Sequence, residues 1–431
     1  MKKFLFTTAL AAGFLCSCSS DDAPVAASQQ PSAAQEGLVP VELSVGSPVS
    51  VSKKGKGAIG TTDGSLNWNG ETLYLFMMQR SDAANGLDWT PTTWSFTPTV
   101  ASLPENHGGA EQTMTNFNNT PVIAPTEAAS GLLSWGTTDN TPKYYPSNSV
   151  AYHDFFAYYI DDATTTGVTD AQIEIQAADE GAGTPAVMQK VKKVDFEIDG
   201  SQDLMSGWAS GTGFNQKTAR EGTVPSITMK HLLTRFKFNV VAGKGSSDGL
   251  SITRIAIKSK ATGNMIVAYD LGDEKVAPQE LIEFSGVEKE LALAGLDKNN
   301  AIELATFNNE SGSINYAPVD NSLMVQPGLT EYEMLIDVLQ EYKTQEPIVI
   351  TPDPEAPENT ITGKYEGQVT KTYTIKMADV LSGESTLGEG AKAAAGTSYN
   401  VNIQVFGLNE IKVEASLTPW VDGGDVDAVE Q

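Results

Sequence analysis

Arg235-Phe236-Lys237-Phe238-Asn239-Val240 alternates apolar and polar residues with a period of two. Successive side chains of an extended chain point to opposite faces. This stretch therefore offers Phe236, Phe238 and Val240 to a core and Lys237 and Asn239 to water. The rhythm recurs outward in both directions. It is present at Val194, Phe196 and Ile198, at Ile255 and Ile257, and at Tyr332, Met334, Ile336 and Val338. Near the end it returns at Tyr399, Val401, Ile403 and Val405, and at Ile411, Val413, Ala415 and Leu417. At the other end it runs through Val39, Val41, Leu43, Val45, Val49 and Val51. One apolar face and one polar face per strand is what a sheet packed on one side requires.

Between these runs lie turn formers: Asp63-Gly64, Asn69-Gly70, Asn85-Gly86, Asp199-Gly200 and Asp248-Gly249. Helical periodicity is confined to two short candidates, Met377–Ser382 and Glu389–Ala395. No strand–helix–strand rhythm is present, which argues against a parallel α/β architecture. The expected class is all-β, with few short helices. A change of composition between Trp208 and Ile227, rich in Gly, Ser, Thr and Asn, suggests a division into domains over residues 37–220 and 221–431.

The first residues have another character. Lys2 and Lys3 precede an apolar stretch from Phe4 to Leu15, and Leu15-Cys16-Ser17-Cys18 follows. That order reads as a signal peptide over residues 1–17, too short to span a bilayer. Leu-Cys-Ser-Cys resembles a lipobox, which makes Cys18 the candidate lipid-attachment residue. An ordinary signal-peptide cut a few residues later is the alternative. Cys16 and Cys18 are the only two cysteines, so no disulfide is expected after processing. Residues 18–36, rich in Ala, Ser, Gln and Pro, cannot bury enough apolar area to offset ordering entropy and read as a tether. The acidic residues after Cys18 resemble a surface-export signal. A tether facing the periplasm is the other possibility.

The chain carries 54 acidic against 28 basic side chains, a formal charge of −26. Such a surface repels a phosphate backbone, so nucleic acid is excluded as a partner, and an electrostatic membrane contact is disfavoured.

Several local patterns, in order, resemble the Bacteroidota fimbrillin family, the Mfa-like and FimA-like subunits of donor-strand (type V) pili. They are Trp135 with Lys143-Tyr144-Tyr145-Pro146, then Tyr152-His153-Asp154-Phe155-Phe156-Ala157-Tyr158-Tyr159. Gln202-Asp203-Leu204-Met205 and the run from Met229 to Val240 follow, then Leu323-Met324-Val325-Gln326-Pro327-Gly328. Gly396-Thr397-Ser398-Tyr399-Asn400-Val401-Asn402-Ile403 and Thr418-Pro419-Trp420 close the series. The resemblance implies two tandem transthyretin-like β-sandwich domains. It also implies assembly with other fimbrial subunits by strand exchange, after a trypsin-like protease removes the first strand. The implied location is the outer-membrane surface, through the acyl group before processing, and then the fimbrium. Host or bacterial surface ligands are the further partners it suggests.

Within that scheme Val39–Val51 is the candidate displaced strand, and the basic turn Lys53-Lys54-Gly55-Lys56-Gly57 offers cuts after Lys54 or Lys56. Porphyromonas-type members are cut after Arg. The first Arg here is Arg80, which departs from that pattern. An ordinary first strand followed by a solvated turn is the alternative. The candidate donor is Ile411, Val413, Ala415 and Leu417 with Trp420; the alternative is a last strand paired at home.

Chemistry-bearing motifs do not point to an enzyme. Gly55-Lys56-Gly57-Ala58-Ile59-Gly60 satisfies a nucleotide-loop pattern but precedes Asp63-Gly64 rather than a helix. His107, His153 and His231 lack metal-ligand spacing, and His231, at the head of a strand, reads as a packed histidine. Asp422, Asp425 and Asp427 lack a calcium-loop spacing. No metal and no cofactor is expected. Trp68, Trp89, Trp94 and Trp135 remain: exposed, Trp89 and Trp94 would support a second reading, a surface glycan-binding lipoprotein; buried, they are core.

Overall fold

The computed structural model describes residues 39–46, 68, 70–80, 88–91, 93–94, 115–116, 118–126, 131–135, 143–145, 151–175, 187–209, 213–244, 249–271, 278, 280–304, 314–342, 348–349, 360–361, 365–382, 385–408 and 411–418. The signal peptide, the tether, Cys18, Val49, Val51, Lys54, Lys56 and Trp420 lie outside these.

Three large sheets organise the described chain, an all-β sandwich architecture as the alternation predicts. The first runs in the order Thr90–Pro91, Thr72–Gln79, His153–Tyr159, Met205–Ala209, Ser226–His231, Ser44–Val45, Gly131–Leu132. The second runs Thr169–Ile175, Val187–Glu197, Leu250–Tyr269, Glu331–Tyr342, Tyr365–Lys376, with Ile282–Ala292 also paired to the long strand. The third runs Ala317–Val325, Thr234–Ala242, Ser398–Val405, Ile411–Thr418, Leu381–Ser382, Ser385–Thr386. Every alternating run named above that falls among the described residues from Val194 onward lies in one of these strands or, for Ile198, directly after one.

One core joins all three. Phe76, Phe156 and Tyr158 of the first sheet share it with Val194, Met265 and Tyr269 of the second and Phe236, Val401 and Ile403 of the third. Phe156 meets the Tyr269 ring edge-on at 4.8 Å, and Phe236 meets Tyr332 at 5.0 Å. A second core lies on the opposite face of the first sheet, around Leu73, Leu75, Phe155, Ala157 and Tyr159. The first sheet is thus covered on both faces. This explains why His153–Tyr159 reads HDFFAYY rather than alternating: every residue of it is buried.

Strands from both sides of residue 220 share ladders. Val191 to Glu197 pair with Tyr269 to Thr262, and Met205 to Ala209 pair with His231 to Ile227. Leu250–Tyr269 carries the crossing: its first half pairs with Glu331–Tyr342 and its second with Val187–Glu197.

The helix expectations need correction. Met377–Asp379 is one turn of 3-10 helix, followed by a strand at Leu381–Ser382. Residues 389–395 form no helix. Gly388 and Gly390 hold φ of +87° and +77°, and the Ala393 backbone bonds to Gly328 and Leu329 instead of along a helix. Among the described residues the α-helix is Gln216–Arg220, within the Gly-rich change of composition. Asn215 caps it, its side chain accepting from the Lys217 and Thr218 amides. Of the five expected turns, three fall at described glycines. Gly70, Gly200 and Gly249 have φ of +75°, +98° and +78°.

Gly207 sits mid-ladder between two strands. A Cβ there would stand 2.2 Å from the Thr228 carbonyl oxygen and 2.8 Å from Met229 Sδ. Because the blocking atom is backbone, Gly207→Ala is expected to cost about 1–3 kcal/mol. A melting temperature unchanged from the parent would show that the ladder has room.

Candidate functional site

Val39–Gly46 fills a slot inside the first sheet. The Val41 amide donates to Lys143 O at 2.7 Å, and the Tyr145 amide donates to Val39 O at 3.0 Å. The Leu133 amide donates to Leu43 O at 2.8 Å. On the other edge the Ser44 amide donates to Pro225 O at 2.9 Å and the Gly46 amide to Ile227 O at 3.0 Å. Ser44 and Val45 run parallel to Ser226 and Ile227 and antiparallel to Leu132 and Gly131. The segment is therefore an inner strand with neighbours on both edges.

Its alternation does what the sequence demands. Val39, Val41, Leu43 and Val45 are buried while Glu42 is exposed. All four apolar side chains enter the second core, beside Trp68, Leu75, Tyr145, Phe155, Ile227 and Met229. Trp68 is fully buried, donates its indole N–H to Gly46 O at 2.9 Å, and meets Tyr159 edge-on at 6.4 Å. Burying four such side chains contributes about 1.5–3 kcal/mol each, roughly 6–12 kcal/mol as an upper bound. That rivals the whole stability of an ordinary domain, so the slot does not stand empty at little cost.

Arg80 closes the strand Thr72–Gln79. Its guanidinium bonds the Asp154 carboxylate through Nε at 3.2 Å and a terminal nitrogen at 2.5 Å. A cut after Arg80 would carry off a strand paired with Thr90–Pro91, Thr120–Ile123 and His153–Tyr159. Arg80 is thus structural.

The candidate donor is seated at home. Ser398 to Val405 pair with Thr418 to Ile411, and Ser416 also pairs with Leu381. Ile411 is buried and Val413, Ala415 and Leu417 are half-buried; Lys412 and Glu414 are exposed and ion-paired at 2.6 Å. The two candidate strands occupy different sheets, the first and the third.

Sequence reasoning missed the slot's walls, Gly131–Leu133, Lys143–Tyr145 and Pro225–Ile227, and the clasp at Trp68. Their pairing is long-range, with Ser44 meeting Ser226, and only the adjacent Leu132-Leu133 and Tyr144-Tyr145 pairs hint at strands.

A buried polar cluster lies where the first sheet hands over to the third. His231 ends the strand Ser226–His231 rather than heading one, and its Nδ1–H donates to Asp203 Oδ2 at 2.7 Å. Both side chains are fully buried. The Asp203 amide donates to Asp161 Oδ2 at 3.2 Å, and Arg235 Nε donates to Ser398 Oγ at 3.0 Å. Burial pulls the Arg235 guanidinium down to about 10, against the opposing pull of Asp203. Burial, with the Asp203 charge adding to it, lifts the Asp161 carboxyl from 3.8 to about 7. Burial alone drops His153 from 6.5 to about 4.

These two groups tilt stability in opposite senses. With its pKa raised, folded Asp161 holds a proton that the unfolded chain releases, so its contribution is lost as pH rises from about 4 to about 7. With its pKa depressed, His153 contributes stability that is lost as pH falls from 6.5 to about 4. Asp161→Asn should leave the His153 slope alone, giving a denaturation midpoint that climbs steadily from pH 4 to 6.5. A midpoint that still falls toward pH 7 would mean another carboxyl holds the proton.

Among the described residues no group of three or more His, Cys, Asp or Glu could hold a metal, and no helix there is long and apolar enough to cross a membrane. Trp89 is 7% exposed and so offers no open ring face; Trp135 is half-buried, and the Trp94 side chain lies outside the described residues.

Residues 100–420 match the family model described as fimbrillin-like. No curated protein matches the chain. Among solved structures, a candidate cell adhesion protein from Bacteroides uniformis aligns with 12% identity and a TM-score of 0.43, over 90% of this chain and 100% of that one. One from Bacteroides ovatus aligns with 12% identity and a TM-score of 0.39, over 89% and 98%. The C-terminally truncated tip fimbrial protein Mfa3 from Porphyromonas gingivalis aligns with 10% identity and a TM-score of 0.31, over 89% and 100%.

Proposed function

Because this chain belongs to the fimbrillin-like family, we propose that it is a fimbrial subunit whose first strand, Val39–Val51, is removed so that another subunit's strand can take its place. The observation that carries the reading is the slot: an inner strand with four alternate side chains in one core and main-chain bonds on both edges. Its removal uncovers both an apolar groove and unmet backbone groups, and an incoming strand repairs both. The cut belongs between Gly46 and Trp68, where Lys54 and Lys56 lie. Trp68 then stays behind with its N–H ready for the newcomer's carbonyl.

The last strand, Ile411–Thr418, is paired along its length with Ser398–Val405. That pairing favours a tip or accessory subunit, which accepts a strand and donates none. A stalk subunit would have to free Ile411, Val413, Ala415 and Leu417 from home. Lipid attachment at Cys18 and display on the outer membrane belong to the same proposal, and Cys18→Ser should abolish palmitate labelling. The division near residue 220 is proposed as a boundary between two sandwiches whose ladders interlock, so a nick at residues 210–212 should leave the halves associated.

The deciding experiment is mild trypsin digestion of the unlipidated chain, read by mass spectrometry and electron microscopy. One cut near Lys54 or Lys56 is expected, with release of the first strand on adding a peptide of sequence Val39–Val51. Filaments would make the chain a stalk subunit. A cut chain that neither releases its strand nor takes up the peptide would refute the exchange.

A further inference from the structure

A cavity of about 530 Å³ opens where the edges of the first and second sheets come together. One wall is the ladder of Thr169–Ile175 with Val187–Glu197, in which Asp170 stands opposite Lys192 and Gln172 opposite Lys190. Residues two apart on a strand share a face, so both ammonium groups serve the same side. A register shift between Lys192 and Lys193 breaks the ladder with the long strand at this point. Bulges re-aim side chains beside binding sites, and Lys192 is only 5% exposed. The facing wall is Trp89, Thr90 and Pro91.

The charge arrangement is unusual for this chain. Acidic side chains outnumber basic ones 54 to 28, yet two lysines line this one cavity. Lys192 Nζ meets Asp170 Oδ1 at 2.6 Å, and Lys190 Nζ meets Asp88 Oδ1 at 2.5 Å. Those carboxylates are rim groups, with side chains 80% and 66% exposed. The Lys190–Asp88 pair is exposed on both sides and therefore weak, while Asp170, 80% exposed, can turn to water and leave the buried Lys192 ammonium to an incoming anion. Lys192 Nζ also stands 5.9 Å from the Trp89 ring centroid, which bars that face to stacking. The Trp89 indole N–H is buried with no hydrogen-bond partner among the described residues. Lys190, Lys192, Gln172 and Thr90 supply donors to the walls, with Met78 and Pro91 adding apolar surface. The volume lies within the ordinary range for a small-ligand site.

We propose that this cavity binds a carboxylated saccharide unit. The carboxylate sits between Lys190 and Lys192 in place of Asp170, hydroxyls meet Gln172 and Thr90, and ring C–H groups lie on Met78 and Pro91. The site is separate from the strand slot and does not depend on strand exchange.

The test titrates the unlipidated full chain with a trisaccharide ending in glucuronic acid and with its glucose-ended counterpart, by calorimetry and saturation-transfer NMR. The acid-ended sugar is expected to bind about tenfold tighter or better, the value of a hydrogen bond to a charged group. Lys192→Met should lose about that factor. Lys190→Met, at a half-exposed position, should show a loss that misfolding does not explain. Asp170→Asn, which removes the competing carboxylate, should leave binding at least as tight. Equal affinity for the two sugars, binding of neither, acetate binding as tightly as the trisaccharide, or Asp170→Asn losing as much as Lys192→Met would each overturn the assignment.

Discussion

Asp203→Ala lowers the unfolding free energy by about 3–5 kcal/mol, the range for removing one partner of a buried ion pair. Asp203 is fully buried and is the acceptor for His231 at 2.7 Å. It is also the charge that opposes the effect of burial on Arg235. Without it the buried Arg235 guanidinium loses the charge that offsets its burial, and His231 Nδ1 loses its acceptor. Asp203→Asn keeps the shape and one acceptor oxygen, so it should cost less, about 1–3 kcal/mol. Urea denaturation of the three proteins at pH 7 decides the matter. An Asp203→Ala midpoint close to the parent's would show that the cluster is ornamental to the fold.

Trp68→Ala should cost a similar amount, about 3–5 kcal/mol for a large buried aromatic. Its effect is local in a telling way. Trp68 holds the end of the first strand through Gly46 O and packs on Tyr159. Truncation opens a cavity in the second core and leaves the Gly46 carbonyl without that donor. Hydrogen exchange at the Val41, Ser44 and Gly46 amides should speed up more than exchange in the third sheet. Trp68→Phe restores most of the volume but not the bond, and should recover all but about 1 kcal/mol. Uniform acceleration through all three sheets would mean that Trp68 supports the whole fold and not the slot.

The legibility of this chain follows the physics of each element. Strands covered on one face, such as Thr234–Ala242 and Ser398–Val405, show themselves through period-two alternation, and the structure buries Phe236, Phe238, Val240, Tyr399, Val401 and Ile403. The strand His153–Tyr159 carries no alternation because both its faces are covered. Short helices were misplaced because five residues contain too little periodicity; the cap at Asn215 was the only local sign of Gln216–Arg220. The first strand's burial was legible, but its partners were not. Pairing between Ser44 and Ser226 joins positions far apart in sequence, and no local pattern encodes that. The cavity beside Trp89 was invisible for the same reason. Lys190 and Lys192 become neighbours of Trp89 only once two sheet edges meet.

The strand Leu250–Tyr269 has a mechanical consequence. Its 20 residues reach roughly 65 Å when extended. One end is gripped by the ladder with Val187–Glu197 and the other by the ladder with Glu331–Tyr342. Tension between these two ladders therefore travels along covalent bonds, and slippage requires many ladder hydrogen bonds to shear together instead of opening one by one like a zip. Yielding under load should begin elsewhere, at junctions held by few bonds, such as the one pairing, Leu381 with Ser416, that ties the Leu381–Thr386 hairpin to the strand Ile411–Thr418.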